Sequence, residues 1–141
     1  MNNRQQLIDK INRQADPADP EAPSPIVSLE DFFEGNDDLA SIGCNLAEHP
    51  GTDGFYRVLR DVRARPNVQD VLVEIYEVME GEDEWPFSER VYVLTSAEPD
   101  EVRGWLAALD PSEIEEGWAS GASPAQPLLQ PRMRVLGVWW D

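Results

Sequence analysis

Apolar residues recur with a helical period in two stretches of the chain. Residues 52–65 place four apolar side chains at positions i, i+3, i+4 and i+7, namely Phe55, Val58, Leu59 and Val62. The stretch after Ser96 repeats this spacing with Val102, Trp105, Leu106 and Leu109. Both patterns predict an amphipathic helix that buries one face.

Runs of β-branched residues predict two long strands. Residues 68–78 and 91–95 form such runs. The acidic loop 80–89 connects them, so we expect an antiparallel hairpin with a long connection. Weaker apolar patterns predict further strands over 39–46 and 133–140.

Two short helices complete the predicted elements, one capped by Ser28 and one acidic helix around residues 112–118. From Leu39 onward the main order is β-α-β-β-α-β, which is the split arrangement of ferredoxin-like folds. The sequence therefore predicts an α+β sandwich in which a four-stranded antiparallel sheet carries its helices on one face. A different α+β sheet order is the alternative.

The first 25 residues differ in pattern from the rest. Residues 2–14 predict a short amphipathic helix, and residues 15–25 contain four prolines, which favours an extended linker. We expect residues 1–25 to form an arm outside the core and residues 26–141 to form a single domain.

Helices on one face of a sheet leave the other face in need of cover. That face is expected to carry Tyr76, Tyr92 and Trp140 among other apolar side chains, and large exposed apolar patches are rare on monomers. Three covers are open: a second copy of the chain, a partner or ligand, or the N-terminal arm through Ile26, Val27, Leu29, Phe32 and Phe33. Monomer and homodimer both remain open.

The net charge of the chain disfavours some kinds of binding partner. The 141 residues include 11 basic and 28 acidic side chains, for a net charge of −17. This charge repels nucleic-acid phosphates and anionic membranes, so we expect neither as a partner. The chain shows no targeting segment and no long apolar run, which leads us to expect a cytoplasmic protein.

Two groups of residues suggest chemistry. Cys44 and His49 could form a nucleophile and base, although a buried structural cysteine and a solvated turn histidine explain them as well. Glu34, Asp37 and Asp38 supply oxygen ligands for Ca²⁺ or Mg²⁺, but they lack EF-hand spacing and suit a turn. We therefore expect no metal and no cofactor.

The loop 80–89 combines charge with aromatic side chains. Its acidic residues are followed by two aromatic ones, the set being Glu82, Asp83, Glu84, Trp85 and Phe87. Such a combination is typical of protein-recognition surfaces. The alternative is that the two aromatic side chains fold into the core.

Four runs of residues resemble a group of short, acidic bacterial proteins of uncharacterised function. They are residues 27–38 (VSLEDFFEGNDD), 41–46 (SIGCNL), 85–88 (WPFS) and 138–141 (VWWD). The resemblance covers residues 26–141 and implies a compact bacterial domain. It implies no activity and no catalytic residue.

The functional prediction is a small acidic, non-enzymatic protein-binding module that engages a basic protein partner, as inhibitors and immunity-type proteins do. The alternative is a small-ligand-binding protein or enzyme. It would use either the Cys44–His49 corner or a pocket lined by Tyr76, Tyr92 and Trp140 on the open sheet face.

Overall fold

Five antiparallel strands form a sheet in this computed structural model, which describes residues 3–15, 19, 21–78, 81, 84–119 and 126–141. The strands are β1 (Ile26–Ser28), β2 (Val68–Glu74), β3 (Arg90–Thr95), β4 (Glu113–Glu116) and β5 (Arg134–Trp139). Their order across the sheet is β1-β2-β3-β5-β4. Strands β1 and β4 are therefore the two edges.

Helices cover one face of this sheet. They are α1 (Asn3–Gln14), α2 (Leu29–Phe33), α3 (Thr52–Arg63) and α4 (Pro99–Trp105). All four helices contribute apolar side chains to one core. The central strands β2, β3 and β5 contribute the side chains on one of their faces to the same core, namely Val71, Val73, Val91, Val93, Leu136 and Val138. We call this side the helix face and the opposite side the outer face. Within the described residues, no helix is long and apolar enough to cross a membrane.

The predicted α+β class is confirmed, and the helices lie on one face as expected. The ferredoxin-like sheet of four strands is not the observed one, because residues 39–46 form no strand. Leu39–Ser41 is a single 3-10 turn, capped by the Asp38 carboxylate, which accepts the Ala40 N–H at 3.0 Å. Gly43 follows with a φ of +63°, a conformation that interrupts a strand.

Two strands that the sequence did not predict enlarge the sheet. Residues 26–28 pair with β2 before α2 begins at Leu29. Residues 113–116, predicted as part of an acidic helix, form β4 instead and pair with β5. Glutamate is a poor strand former, so this strand depends on pairing with its neighbour rather than on local propensity.

The N-terminal helix is part of the core, not an arm outside it as residues 1–25 were expected to be. Leu7 and Ile11 of α1 are buried among the residues of the helix-face core. The Gln14 side chain also holds β1, since its amide donates to Ile26 O at 2.7 Å and accepts from Ile26 N at 2.9 Å. Residues 16–18 and 20 of the proline-rich stretch lie outside the described residues.

The outer face is covered by a segment that follows β4. We call this segment the strap and define it as residues 117–119 and 126–130. Trp118 packs edge-on against Tyr92 with ring centroids 4.6 Å apart. Further along, the Gln69 side chain donates to Leu128 O and accepts from Gln130 N, both at 2.9 Å.

Of the three covers left open by the sequence, the N-terminal arm is not the one observed. Of the five side chains proposed for that role, Ile26 alone lies in the outer-face cluster. The other four, Val27, Leu29, Phe32 and Phe33, belong to the helix-face core. Val27 points away from the outer face because successive strand residues alternate between faces. Leu29, Phe32 and Phe33 do so because α2 starts directly after β1 and turns the chain over the sheet's other side.

Candidate functional site

Strand register brings side chains of four strands into two rows on the outer face. The first row runs Glu74, Arg90, Trp139 and Glu113 across β2, β3, β5 and β4. The second row runs Leu72, Tyr92, Gly137 and Glu115. Because residues opposite each other on one face lie within contact distance, each row forms a continuous strip across the sheet.

A cleft of about 200 Å³ opens between β4, β5 and the strap. Its lining includes Arg90, Glu113, Glu115, Trp118, Gly137 and Trp139. Sites for drug-sized ligands have volumes of roughly 300–1,000 Å³. This outer-face cleft is therefore the size of one side chain rather than of a whole organic ligand.

Negative charge dominates the outer-face cleft. Glu116 also lines it, but this carboxylate lies 3.4 Å from the Arg134 guanidinium. Arg90 is 3.4 Å from Glu74. Among the described residues, Glu113 and Glu115 form no ion pair, so two carboxylates remain unneutralised beside two indole rings.

Tyr92 contacts Trp118 and Ala119, two residues that line the cleft. Its side chain is fully buried, and its hydroxyl donates to Glu74 Oε1 at 2.7 Å and accepts from the Ala119 N–H at 3.1 Å. Burial, together with the hydrogen bond to Glu74, raises the pKa of Tyr92 above that of an ordinary tyrosine. A neutral phenol thus fastens the strap to the sheet.

Gly137 makes room for this arrangement. A Cβ at position 137 would lie 3.3 Å from Tyr92 Cε1 and 3.5 Å from Glu115 O. The first distance is tighter than most Cβ contacts and the second is an ordinary contact, so a larger residue would push the tyrosine ring aside. The glycine therefore lets the Tyr92 ring lie flat across β5.

The lining of the outer-face cleft suits the binding of a cation. Carboxylates attract ammonium and guanidinium groups, and indole faces add cation–π attraction. The described lining residues include no serine, cysteine, histidine or lysine, so carboxylates are the ionisable groups that face a ligand besides Arg90. The arrangement can hold a cationic group.

Cys44 and His49, which the sequence offers as a nucleophile and base, form no hydrogen bond with each other in the described part of the chain. The ring of His49 accepts the Gly51 N–H at Nδ1 (2.9 Å), so its proton is on Nε2, which donates to Ile42 O at 2.8 Å. Both nitrogens are thus occupied by backbone groups. Cys44 is exposed, not buried in a strand as its structural interpretation expected.

The acidic residues Glu34, Asp37 and Asp38 do not form a metal centre. The two carboxylate oxygens of Asp38 accept the Ala40 N–H and the Trp85 N–H, each at 3.0 Å. No cluster of three or more metal-ligating side chains occurs in the part of the chain that the structure describes. The role of Asp38 is to cap the 3-10 turn and fix the start of the Trp85 segment.

The acidic–aromatic loop presents less surface than the sequence suggested. Trp85 is 6% exposed and lies in the helix-face core, and Phe87 is half-buried against Tyr76. Glu84 is exposed, and its backbone oxygen accepts a hydrogen bond from Arg4 Nε at 2.7 Å. Glu82 and Asp83 lie outside the described residues.

The three aromatic residues predicted to line one pocket lie in three places. Tyr92 is on the outer face, whereas Tyr76 follows β2 and is 63% exposed. Trp140 lies on the helix face, where its indole N–H donates to Leu109 O at 2.8 Å. Its neighbour Trp139, together with Trp118, lines the outer-face cleft.

Sequence reasoning missed the residues that form the outer-face cleft. The sequence predicts a helix for Glu113, Glu115 and Trp118, and no motif marks Arg90 or Trp139 as a site residue. One signal was available in the final strand, because Leu136, Val138 and Trp140 are more apolar on average than Val135, Gly137 and Trp139. The alternation therefore favours burial of Trp140 and outward placement of Trp139.

Two larger clefts lie elsewhere. One of about 420 Å³ separates the end of α1 from residues 75–78, and another of about 460 Å³ lies between residues 46–48 and 107–110. The acidic side chains that line them are Asp19 and Glu77 in the first and Glu48 and Asp110 in the second. Neither lining contains a basic side chain, a histidine or a cysteine among the described residues.

The fold and the outer-face cleft define a small α+β protein with an acidic, aromatic surface on a five-stranded antiparallel sheet. The chain belongs to the Uncharacterized protein YfbO family, whose model matches residues 2–138. It is similar to the uncharacterized protein YfbO of Escherichia coli (strain K12), with 36% identity over 138 residues and 97% of each chain covered. No solved structure matches the chain significantly. The resemblance to uncharacterised bacterial proteins is thus confirmed.

Proposed function

We propose that this protein is a non-enzymatic binding module that engages a basic protein partner through the outer-face cleft. The observation that supports the proposal is the pair Glu113 and Glu115, which stand unneutralised beside Trp118 and Trp139. A lysine or arginine side chain of a partner would satisfy both carboxylates and contact both rings.

The size of the outer-face cleft favours a protein partner over a small molecule. One basic side chain fits a space of about 200 Å³, and the remaining surface of a protein partner would lie against the surrounding acidic residues. A net charge of −17 also steers basic proteins toward this chain and speeds their encounter. Inhibitors and immunity-type proteins bind in this manner, through complementary charge and shape, and catalyse no reaction on their partner.

The small-ligand alternative has weaker support. It needed Tyr76, Tyr92 and Trp140 to converge, and they lie apart. Its other location needed a free base beside Cys44, and both ring nitrogens of His49 are hydrogen-bonded.

The proposal is tested by calorimetric titration with a capped oligo-arginine peptide, at low and moderate salt. We expect the double variant Glu113→Gln/Glu115→Gln to bind about tenfold more weakly than the wild type, as loss of charge-assisted bonds implies. The matched control is Glu48→Gln/Asp61→Asn, which removes the same charge from exposed positions away from the cleft. We expect this control to lose about twofold at most, through weaker long-range attraction.

Equal weakening in the two double variants would contradict the proposal, since net charge alone would then explain binding. The same pair of variants serves to qualify a natural partner. A basic protein captured from bacterial lysate supports the proposal only if, once purified, it binds the wild type and the control but not the cleft variant.

A further inference from the structure

The two edge strands of the sheet differ in how their outward backbone groups are hydrogen-bonded. At β1 the Gln14 amide occupies both backbone groups of Ile26, so the edge presents no free donor or acceptor there. At β4 no described side chain bonds to the strand's backbone. Unpaired strand edges attract other strands, and proteins usually protect them.

Hydrogen-bond alternation shows which backbone groups of β4 point away from β5, and none of these groups bonds to another described residue. The Trp140 N–H donates to Glu89 O. The backbone N–H and C=O groups of the even-numbered residues of β5 therefore point toward β3, and those of the odd-numbered residues point toward β4. The Gly117 N–H accordingly donates to Val135 O at 2.8 Å. By the same alternation Glu113 and Glu115 pair with β5, and the N–H and C=O groups of Ile114 and Glu116 point outward.

The side chains of β4 select what can pair with this edge. Three of its four residues are glutamates, and all three are exposed. A second copy of the chain would place like charges opposite one another, which destabilises strand pairing. A strand with basic side chains would instead meet opposite charge along the whole edge.

The free edge and the outer-face cleft are continuous. Glu113 and Glu115 belong to β4 and line the cleft, and Trp118 follows the strand by two residues. A strand laid along β4 would place alternate side chains on the outer face, beside these groups.

We infer that the partner contributes an extended basic segment that pairs with β4 as a sixth strand, with its cationic side chains on the outer-face side. This inference rests on the proposed function and adds the mode of binding. Main-chain hydrogen bonds would supply affinity, and the outer-face cleft would supply the preference for arginine or lysine.

The first test is backbone amide exchange of the full chain, with and without a capped peptide of alternating arginine and valine. In the free protein we expect the amides of Ile114 and Glu116 to exchange faster than that of Glu115. The peptide should slow exchange at Ile114 and Glu116 about tenfold or more, because pairing would satisfy these outward N–H groups. Unchanged exchange at both positions while the peptide is bound would overturn the inference.

The second test compares Glu116→Pro with Glu116→Gln. Proline removes the outward N–H, which an edge strand tolerates, whereas glutamine removes the same charge and keeps the N–H. We expect the proline variant to bind the peptide about 2- to 10-fold more weakly than the glutamine variant, as loss of one backbone hydrogen bond implies. Equal affinity of the two variants would contradict strand addition.

A peptide of the same sequence with alternate backbone N-methyl groups separates the two proposals without altering the protein. If it binds as well as the parent while Glu113→Gln/Glu115→Gln still weakens both, strand addition fails and the proposed function stands. If that double variant has no effect on either peptide, the proposed function itself fails.

Discussion

Tyr92 and Gly137 lie directly opposite each other on β3 and β5, and the absence of a side chain at 137 is what lets the Tyr92 ring occupy the outer face. The ring in turn packs against Trp118 and bonds to the strap at Ala119. The shape of the outer-face cleft thus depends on one glycine.

Replacing that glycine by alanine should destabilise the fold. The added Cβ would lie 3.3 Å from Tyr92 Cε1 and force the ring or its neighbours to move. We expect Gly137→Ala to lower the free energy of unfolding by about 1 kcal/mol, as mild overpacking does. Denaturant unfolding measures this. The control is Gly104→Ala in α4, where no atom lies near the new Cβ and about 0.5 kcal/mol of stabilisation is expected.

Removing the Tyr92 hydroxyl should loosen the strap. Tyr92→Phe takes a donor from Glu74 and an acceptor from the Ala119 N–H, so we expect a loss of about 1–3 kcal/mol. The pKa of Tyr92 is raised in the folded state, so the phenol stabilises the fold below the ordinary tyrosine pKa, and this contribution is lost as pH rises. The stability difference between wild type and variant should therefore shrink in alkali. A difference that is constant with pH would contradict this assignment.

Two buried tryptophans should respond differently to the same substitution. The Trp140 indole N–H donates to Leu109 O, whereas the Trp85 indole N–H is buried without a partner among the described residues. Trp140→Phe leaves the Leu109 carbonyl unpaired, and Trp85→Phe removes a donor that was already unsatisfied. We expect Trp140→Phe to cost about 1–2 kcal/mol more in unfolding free energy. Equal costs in thermal or denaturant unfolding would show that the hydrogen bond does not matter.

The Glu30–Arg63 ion pair gives stability a defined pH dependence. Arg63 donates to both carboxylate oxygens, at 2.7 and 2.5 Å, and this hydrogen bonding lowers the pKa of Glu30. A lowered folded-state pKa means that the stabilisation is present above the ordinary glutamate pKa and is lost as pH falls. Because the pair is partly exposed, Glu30→Gln should cost about 0.5–1 kcal/mol at neutral pH and almost nothing in acid.

Asp70 supplies a matched comparison of opposite sign. Burial raises the pKa of Asp70, so its contribution to stability is present in acid and falls as pH rises. Asp70→Asn should therefore gain stability relative to wild type as pH rises from acid to neutral, whereas Glu30→Gln should lose it. If the unfolding free energies of both variants followed the same trend across that pH range, the opposite pKa shifts of Glu30 and Asp70 would be contradicted.

Strong local patterns led to correct elements. The spacing of Phe55, Leu59 and Val62 placed α3 correctly, because one face of that helix is buried and the other is solvated. The β-branched runs placed β2 and β3 for a similar reason. In each case the sequence period directly reflects which side of the element meets the core.

Elements that depend on distant partners could not be predicted in this way. The strand β4 consists almost entirely of glutamates and exists because β5 offers it backbone groups. The inclusion of α1 in the core depends on contacts that Leu7 and Ile11 make with residues far along the chain. No local pattern records such pairings.

The outer-face cleft was partly within reach of the sequence. Tyr92 was correctly expected on the open face, but Trp140 was chosen where Trp139 was needed. Adjacent residues of a strand point to opposite faces, so an error of one position moves a side chain across the sheet. The strap could not be foreseen, because its place over Tyr92 depends on side-chain bonds from Gln69 and Tyr92.

The binding of cationic side chains in the outer-face cleft is tested most directly by the indole signals of the five tryptophans in a nitrogen–proton correlation spectrum. Titration with the arginine–valine peptide should shift the signals of Trp118 and Trp139, which line the cleft. The signals of Trp85, Trp105 and Trp140 should stay in place, because these rings pack on the helix face. Shifts confined to the helix-face tryptophans, or no shifts at saturating peptide, would contradict the proposed site.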